Sequence, residues 1–358
     1  MKKIIALITA GLIQFTLAHE STDHEHLQLV PMPAYNAKYG GASAKNATKA
    51  ALVFLQSLSS DIKEKMVFEF DSAKRRGWSN LPAGIVPRVG MNVGSMSDEQ
   101  RVLLFDFLSA SLSKEGYMKV ADTMAAEAFL SDDESAEKYQ WAPENYWLSI
   151  YGDIQNDKVW AWQFGGHHLA INMTVGEDSI TSMSPTFLGT EPAVFTYNGK
   201  EYSALTSIHK AGADVFASLS ADEQKLALLA GYPSDVEVGP GRDNFVPIKT
   251  GIAVGTLNEE QKELVMLTIR QWVGTQPAKD ATKRMSQIAE ELDETYFAWI
   301  GDYGINKKCY FRIHSPSVIM ELLSLSGNIG KSADGKGHYH TIYRNFKTDY
   351  GSEKKVRK

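Results

Sequence analysis

The chain of 358 residues contains one cysteine, Cys309, so no disulfide can form within it. Its fold must rest on a packed core, which a chain of this length is large enough to bury. Cys309 stands beside Tyr310 and Phe311 in a strand-like run, where a buried structural thiol is expected rather than a nucleophile. Beyond residues 4–17 no long apolar run occurs, and no membrane-spanning helix is expected in the remainder. Positive charge is not in excess: 37 Lys and Arg stand against 43 Asp and Glu, a net charge of −6. That balance argues against a nucleic-acid partner. The chain has no Gly-x-Ser-x-Gly elbow, no P-loop, and no dinucleotide glycine fingerprint after a strand, so no nucleotide cofactor is expected. The compact His-Glu-x-x-His zinc spacing is missing too, and Gly239-Pro240-Gly241-Arg242 reads as a turn.

What is present begins with an export signal. Lys2 and Lys3 precede a mostly apolar stretch from Ile4 to Leu17, and Thr16-Leu17-Ala18 offers a cleavage site before His19. Residues 1–18 read as a signal peptide, which implies an exported protein, periplasmic or extracellular, with no stable membrane anchor after cleavage. An uncleaved anchor is the competing reading. Residues 19–44 read as a flexible lead-in whose His19, Asp23, His24 and His26 could hold metal loosely. Residues 45–352 read as one domain, and residues 353–358 as a solvated basic tail.

Helical spacing covers Asn46 to about Phe70, then a helix capped by Ser97. Strand-like runs separated by turn clusters follow from Tyr146 to Tyr197. Helical patterns return at 203–218, 222–232, 258–273 and 279–299. Strand-like runs close the chain at Cys309–His314, Ser317–Leu323 and Tyr339–Tyr343. This order predicts a single-domain α+β fold, with a mainly antiparallel sheet built from residues 146–198 and 309–344 and covered by helices. A helix-start signal occurs at Ser97-Asp98-Glu99-Gln100, Ala221-Asp222-Glu223-Gln224 and Asn258-Glu259-Glu260-Gln261. Shared capping chemistry accounts for it more simply than an internal repeat, because the intervening lengths differ.

Two strand-like runs hold four of the nine histidines. One is Trp160 to Asn172, containing Gln163, His167, His168 and Asn172. The other is Gly337 to Arg344, containing His338 and His340. Residues two apart on a strand share a face, so His338 and His340 form a natural chelate, and His168 and Asn172 share a face of their own strand. Glu321 lies inside Val318-Ile319-Met320-Glu321-Leu322-Leu323, where a carboxylate needs a partner or a ligand. Such a set suits a divalent transition metal: zinc, copper, iron or manganese. The metal candidates are His167, His168, His338 and His340. Glu321, Arg344, Gln163 and Asn172 are the candidate catalytic residues, with Glu321 also available as a ligand. The structural readings stand beside this: a hydrogen-bonded histidine pair, a polar strand face, and Glu321 paired with Arg312 or Arg344.

Several segments together resemble the DUF3500 family over about residues 45–352. They are Arg75-Arg76-Gly77-Trp78-Ser79-Asn80-Leu81-Pro82, Leu112 to Tyr117, Trp160 to Asn172, Ser184 to Gly189, Phe311-Arg312-Ile313 with Glu321, and His338-Tyr339-His340 with Arg344, Asp349 and Gly351. The resemblance implies no settled activity. The first functional expectation is an exported metal-dependent enzyme, a hydrolase or an oxidoreductase, acting on a small molecule. The second is a metal-free binding protein or hydrolase. In it, Trp160, Trp162 and Tyr343 line a pocket, and Arg76, Arg88 or Arg344 holds an anionic ligand. The third is a structural envelope protein. Substrate and oligomeric state are left open.

Overall fold

A computed structural model describes residues 28–325 and 335–351. The expected signal peptide, His19, Asp23, His24 and His26, and the basic tail lie outside the described residues. Residues 28–43 are irregular, but Leu29, Val30 and Met32 are buried, so this part of the expected lead-in is packed onto the body.

The α+β expectation holds. The principal helices are α1 (Ala44–Gln56), α2 (Asp98–Ser111), α3 (Lys114–Leu130), α4 (Thr206–Ser218), α5 (Glu259–Val273) and α6 (Ala278–Ala289). Ser97 caps α2 in a reciprocal box with Gln100, and Asn258 does the same for α5 with Gln261. In each, two N–H groups that a helix start leaves unpaired gain side-chain acceptors. The main strands are β1 (Trp147–Tyr151), β2 (Trp160–Gly165), β3 (Leu169–Val175), β4 (Thr186–Thr190), β5 (Tyr296–Gly301), β6 (Cys309–His314), β7 (Val318–Leu325) and β8 (His338–Asn345). They belong to one twelve-stranded sheet in which they run in the order β1-β2-β3-β4-β8-β7-β6-β5. Each half of the chain therefore contributes four consecutive strands, and the halves meet where β4 pairs with β8.

One expectation fails at β5. The helical pattern assigned to 279–299 ends at Ala289, and Tyr296–Gly301 is a strand. Its aromatic run Tyr296-Phe297-Ala298-Trp299-Ile300 suits a pleated surface better than a helix. Helix α3 also appears where no helix was predicted, because its apolar residues are spread around it rather than in one stripe; Tyr117, Val120, Met124 and Phe129 are all buried.

The sheet has two different faces. On one, Leu148, Trp162, Phe164, Ile171, Leu188, Phe311 and Leu322 pack against the helices in the main core. On the other, Ala170, Phe187, Ile319, Leu323 and Ile342 are covered by loop residues such as Trp78, Val236 and Val238. Much of that cover is the segment 228–251, which has no helix or strand of its own. A segment of that length held flat on a sheet needs anchors, and buried charges supply them. Glu321 accepts from the backbone N–H groups of Glu237 and Val238. Arg344 donates to the Arg242 carbonyl and to Asp243. Arg312 reaches Glu237 and the Ile248 carbonyl.

Candidate metal centre

The cluster forms at one end of three adjacent strands. His168 precedes β3, Gly189 lies near the end of β4, and His338 opens β8. His340 stands directly across from Gly189, and the Gly189 N–H donates to the His168 carbonyl at 2.7 Å. Two imidazoles thus flank one glycine. A Cβ on Gly189 would come within 2.8 Å of the His168 ring, so the missing side chain is what lets the rings lean together. His338, two residues before His340, projects from the same face.

The His338 and His340 Nε2 atoms are 3.1 Å apart. One nitrogen of each of His168, His338 and His340 lies within 4.8 Å of the other two, and all three residues are buried. Two nitrogens bound at about 2.0–2.1 Å to one ion, at angles between octahedral and tetrahedral, would be about 2.9–3.4 Å apart. The His168 Nε2 is buried with no hydrogen-bond partner. Burial, reinforced by the neighbouring imidazoles, pushes the pKa values of His168 and His338 well below the ordinary histidine value. Both are therefore neutral near pH 7, as a metal ligand must be.

Carboxylates stand behind the cluster. The Asp235 carboxylate is 2.8 Å from His340 Nδ1 and accepts from Asn80 at 2.6 Å. Glu191 is 3.6 Å from His338 Nδ1. Glu127, on α3, is 3.0 Å from His167 Nδ1. An acid on Nδ1 fixes the tautomer that leaves Nε2 free to bind, the usual support behind metal-ligating histidines. His167 sits against the cluster, its ring stacked on His168 at 3.7 Å between centroids and near-parallel to Trp141. Glu127, His167 and His168 form a second group able to hold an ion.

The structure thus gathers the four histidines named as metal candidates and leaves the four other site candidates outside them. Glu321 is not among the grouped residues. Its carboxylate is taken up by the 237–238 backbone, with Arg312 directly across the strand pair. Burial pushes its pKa up to about 8, against the pull of those N–H donors and of Arg312. Arg344, four residues along β8 from His340, is roughly 13 Å further down the strand, where it holds Asp243 and the Arg242 carbonyl. Gln163 donates to Asn172 and to the Arg75 carbonyl, and Asn172 donates to the Pro185 carbonyl. These amides tie strands and loops together.

The residues of the metal-free reading are also placed elsewhere. Trp160, Trp162 and Tyr343 lie in the main core. Arg88 donates to the carbonyls of Ser79, Val86, Leu81 and Gly166, and Arg76 pairs with Asp243. Asp235, Asn80, Glu191 and Glu127 were not picked out from sequence. Only Glu127 carried a signal, as an acid inside the apolar run Met124-Ala125-Ala126-Glu127-Ala128-Phe129.

A family model described as "Protein of unknown function (DUF3500)" matches residues 40–352. The chain belongs to the DUF3500 family. No curated protein and no solved structure matches it. The histidine cluster lies within the DUF3500 match, as do the three carboxylates behind it. Among the described residues no helix is long and apolar enough to cross a membrane.

Proposed function

We propose that this protein is an exported metal-dependent enzyme whose His168, His338 and His340 hold one divalent transition metal ion. The observation that carries the reading is the trio of buried imidazoles whose nitrogens lie within 4.8 Å of one another, two of them 3.1 Å apart and one with no other partner. The orphaned His168 nitrogen and the space kept by Gly189 fit such an ion. A hydrogen bond between His338 and His340 explains their contact alone, but leaves the His168 Nε2 without a role. Three imidazoles suit zinc, copper, iron or manganese, and three protein ligands leave a coordination position for water or substrate, the mark of a catalytic rather than a structural site. When bound, the ion supplies Lewis acidity and makes a bound water more acidic.

The protein's own groups have separate tasks. Asp235 and Glu191 orient His340 and His338. Glu127 holds a proton on His167 Nδ1, which puts a proton carrier against the cluster. The substrate is a small molecule of unassigned class.

Elemental analysis of protein purified without a polyhistidine tag tests the proposal. Near-stoichiometric metal in the wild type, lost in His338→Ala/His340→Ala, is expected. Wild-type protein that binds no divalent ion more tightly than that variant, even after reconstitution, overturns it.

A further inference from the structure

The two halves of the sheet share one pairing register. In β1 and β2, Trp147 pairs with Gly165 and Tyr151 with Ala161; in β5 and β6, Tyr296 pairs with His314 and Ile300 with Tyr310. Gln163 faces Asn172 across β2 and β3, as Arg312 faces Glu321 across β6 and β7. All these positions correspond at one constant offset. Ile171 pairs with Thr186, and its counterpart Met320 pairs with Tyr343. Thr186 and Tyr343 pair with each other, so a pseudo-twofold axis passes between β4 and β8.

The flanking elements obey the same relation. Val67 pairs in parallel with Ile150, and Leu228 with Trp299. Gly90 (φ 104°) and Gly251 (φ 102°) each come so close to a β-strand carbonyl, of Leu148 and of Phe297, that a Cβ would collide with it. Gln100 donates to the Ser57 carbonyl, and Gln261 to the Ser218 carbonyl. Similar capping chemistry does not reproduce register, glycine placement and side-chain contacts at once, so the chain is an internal duplication.

The relation leads from the histidine cluster to the opposite end of the sheet. The Gly189 N–H donates to the His168 carbonyl, and the Phe346 N–H to the Ser317 carbonyl, so His168 corresponds to Ser317. Counting from the caps of α3 and α6, Glu127 corresponds to Glu291. Glu127 meets His167 in the turn before β3; Glu291 accepts from Ser315 and Ser317 in the turn before β7. The ladder shifts between Thr174 and Val175, so the relation assigns no counterpart to His338 or His340. Where the first end is packed with imidazoles, the second holds a cavity of about 750 Å³, with Ser317 and Glu291 in its wall. That volume lies in the range of small-molecule sites. Ser317 precedes β7 and His338 faces Leu325 at its far end, so the cavity and the cluster are roughly 25 Å apart along the strand.

The cavity wall carries five carboxylates and four cationic side chains. With the two signs so nearly balanced, charge does not select an ion of either sign. What the wall has to spare is hydrogen bonding. Gln276 lines the cavity at 4% exposure, and its side-chain amide has no partner among the described residues. A buried polar side chain left unpaired is uncommon, and this one offers two donors and an acceptor oxygen. Asp280, also buried, accepts from the Ile180 N–H at 3.0 Å; a carboxylate has about four acceptor sites, so capacity remains. Arg284 lies one turn along α6 from Asp280 and is half-buried, and it adds donors that no ion pair takes up among the described residues. Val159 and Ile180 add apolar surface. A hydroxyl group donates and accepts at once, so a molecule bearing several of them meets this mixture of amide, carboxylate and guanidinium without bringing a charge. We infer that this cavity is a second ligand site that binds an uncharged polyhydroxyl molecule, a mono- or disaccharide, with Gln276, Asp280 and Arg284 as its polar contacts.

The test is isothermal titration of the protein with glucose, galactose, N-acetylglucosamine and maltose, with L-alanine as a zwitterionic probe and citrate as an anionic one. Wild type, Gln276→Leu, Arg284→Met and His338→Ala/His340→Ala are compared, each checked by thermal unfolding. Arg284→Met changes a half-exposed helix residue and keeps the test valid if Gln276→Leu fails to fold. Saturable binding of at least one saccharide is expected. It should be weakened about tenfold in the Gln276 or Arg284 variant, the size of one lost hydrogen-bonding partner, and unchanged by added salt, as for an uncharged ligand. It should also persist in the histidine variant, which separates this site from the metal reading. No saturable heat from any of the four saccharides overturns the inference, as does unchanged binding in both cavity variants. Tighter binding of L-alanine or citrate than of every saccharide overturns it by assigning the cavity to a charged ligand. Loss of binding only in the histidine variant overturns it by placing the sugar on the histidines.

Discussion

Replacing Gly189 by alanine adds one methyl group between two imidazoles, and the structure fixes where it goes. The new Cβ would stand 2.8 Å from His168 Cδ2, 3.1 Å from Phe187 Cε1 and 3.1 Å from the Tyr339 carbonyl oxygen. Carbon atoms rest about 3.5–4.0 Å apart, so the His168 ring must retreat by about 1 Å. Overpacking of this kind costs about 1–3 kcal/mol. Metal–ligand distances tolerate only about 0.2 Å, so His168 leaves the ligand set. Losing a supporting partner behind a ligand already weakens binding by about 10–100-fold, and losing the ligand itself should cost at least as much. Competition against a chromophoric chelator reads the affinity; thermal unfolding of the metal-free protein reads the stability. The decisive experiment is a double-mutant cycle with His168→Ala. Once the ring is gone, Gly189→Ala should cost about 1 kcal/mol less than it does alone. Strict additivity, or unchanged metal affinity in Gly189→Ala, would refute the argument that this glycine makes room for the cluster.

Three further outcomes are expected. Asp235→Asn, which removes the carboxylate behind His340, should weaken metal binding about 10–100-fold in the same chelator assay, and equal affinity would show that Asp235 does not orient the ligand. Stability of the metal-free protein should peak near pH 6.5 in denaturant titrations. His209 and His314, pushed down to about 4 by burial, stay neutral in the fold but take up protons on unfolding as the pH drops below 6.5, so acid destabilises. Glu321, pushed up to about 8, keeps its proton in the fold while the unfolded chain loses it above about 4.5. Its contribution therefore falls as pH rises through that window, by at most about 1.4 kcal/mol per pH unit. Below 6.5 these histidines, with His168 and His338 shifted the same way, outweigh it; above 6.5 the histidines no longer oppose it, and Glu321→Gln should flatten the decline towards pH 8. Cys309 is buried, which pushes its thiol up to about 12, so iodoacetamide should label it only after unfolding, and rapid labelling of the native protein would contradict that burial.

The histidine cluster was legible because strand parity is a property of the sequence. His338 and His340 had to share a face wherever their strand lay, and one reading of period two put His168 on the corresponding face of its own strand. The carboxylates were not legible in that way. Asp235 comes from a loop, Glu191 from a turn and Glu127 from a helix, and only the tertiary fold brings them behind the imidazoles. Glu321 shows the reverse case. Its burial was rightly anticipated, but a buried acid can be satisfied by backbone N–H groups as well as by a metal, and sequence does not distinguish the two. The duplication was visible only in fragments, such as Val93-Gly94 beside Val254-Gly255 and Gly152-Asp153 beside Gly301-Asp302. Register, rather than residue identity, carries the relation, because each half has changed its side chains while keeping its hydrogen-bond ladder.

The pairing of β4 with β8 has a consequence for how the chain is made. Until β8 leaves the ribosome, β4 presents an open edge with unsatisfied N–H and C=O groups, and such edges recruit other strands. At about 5–20 residues per second, the stretch from Thr190 to Asn345 takes about 8–30 s to synthesise. Throughout that interval the first half is a template without its complement. Because its rightful partner has the same architecture, the nearest competitor is the first half of another nascent copy, and timing rather than affinity must keep the two apart.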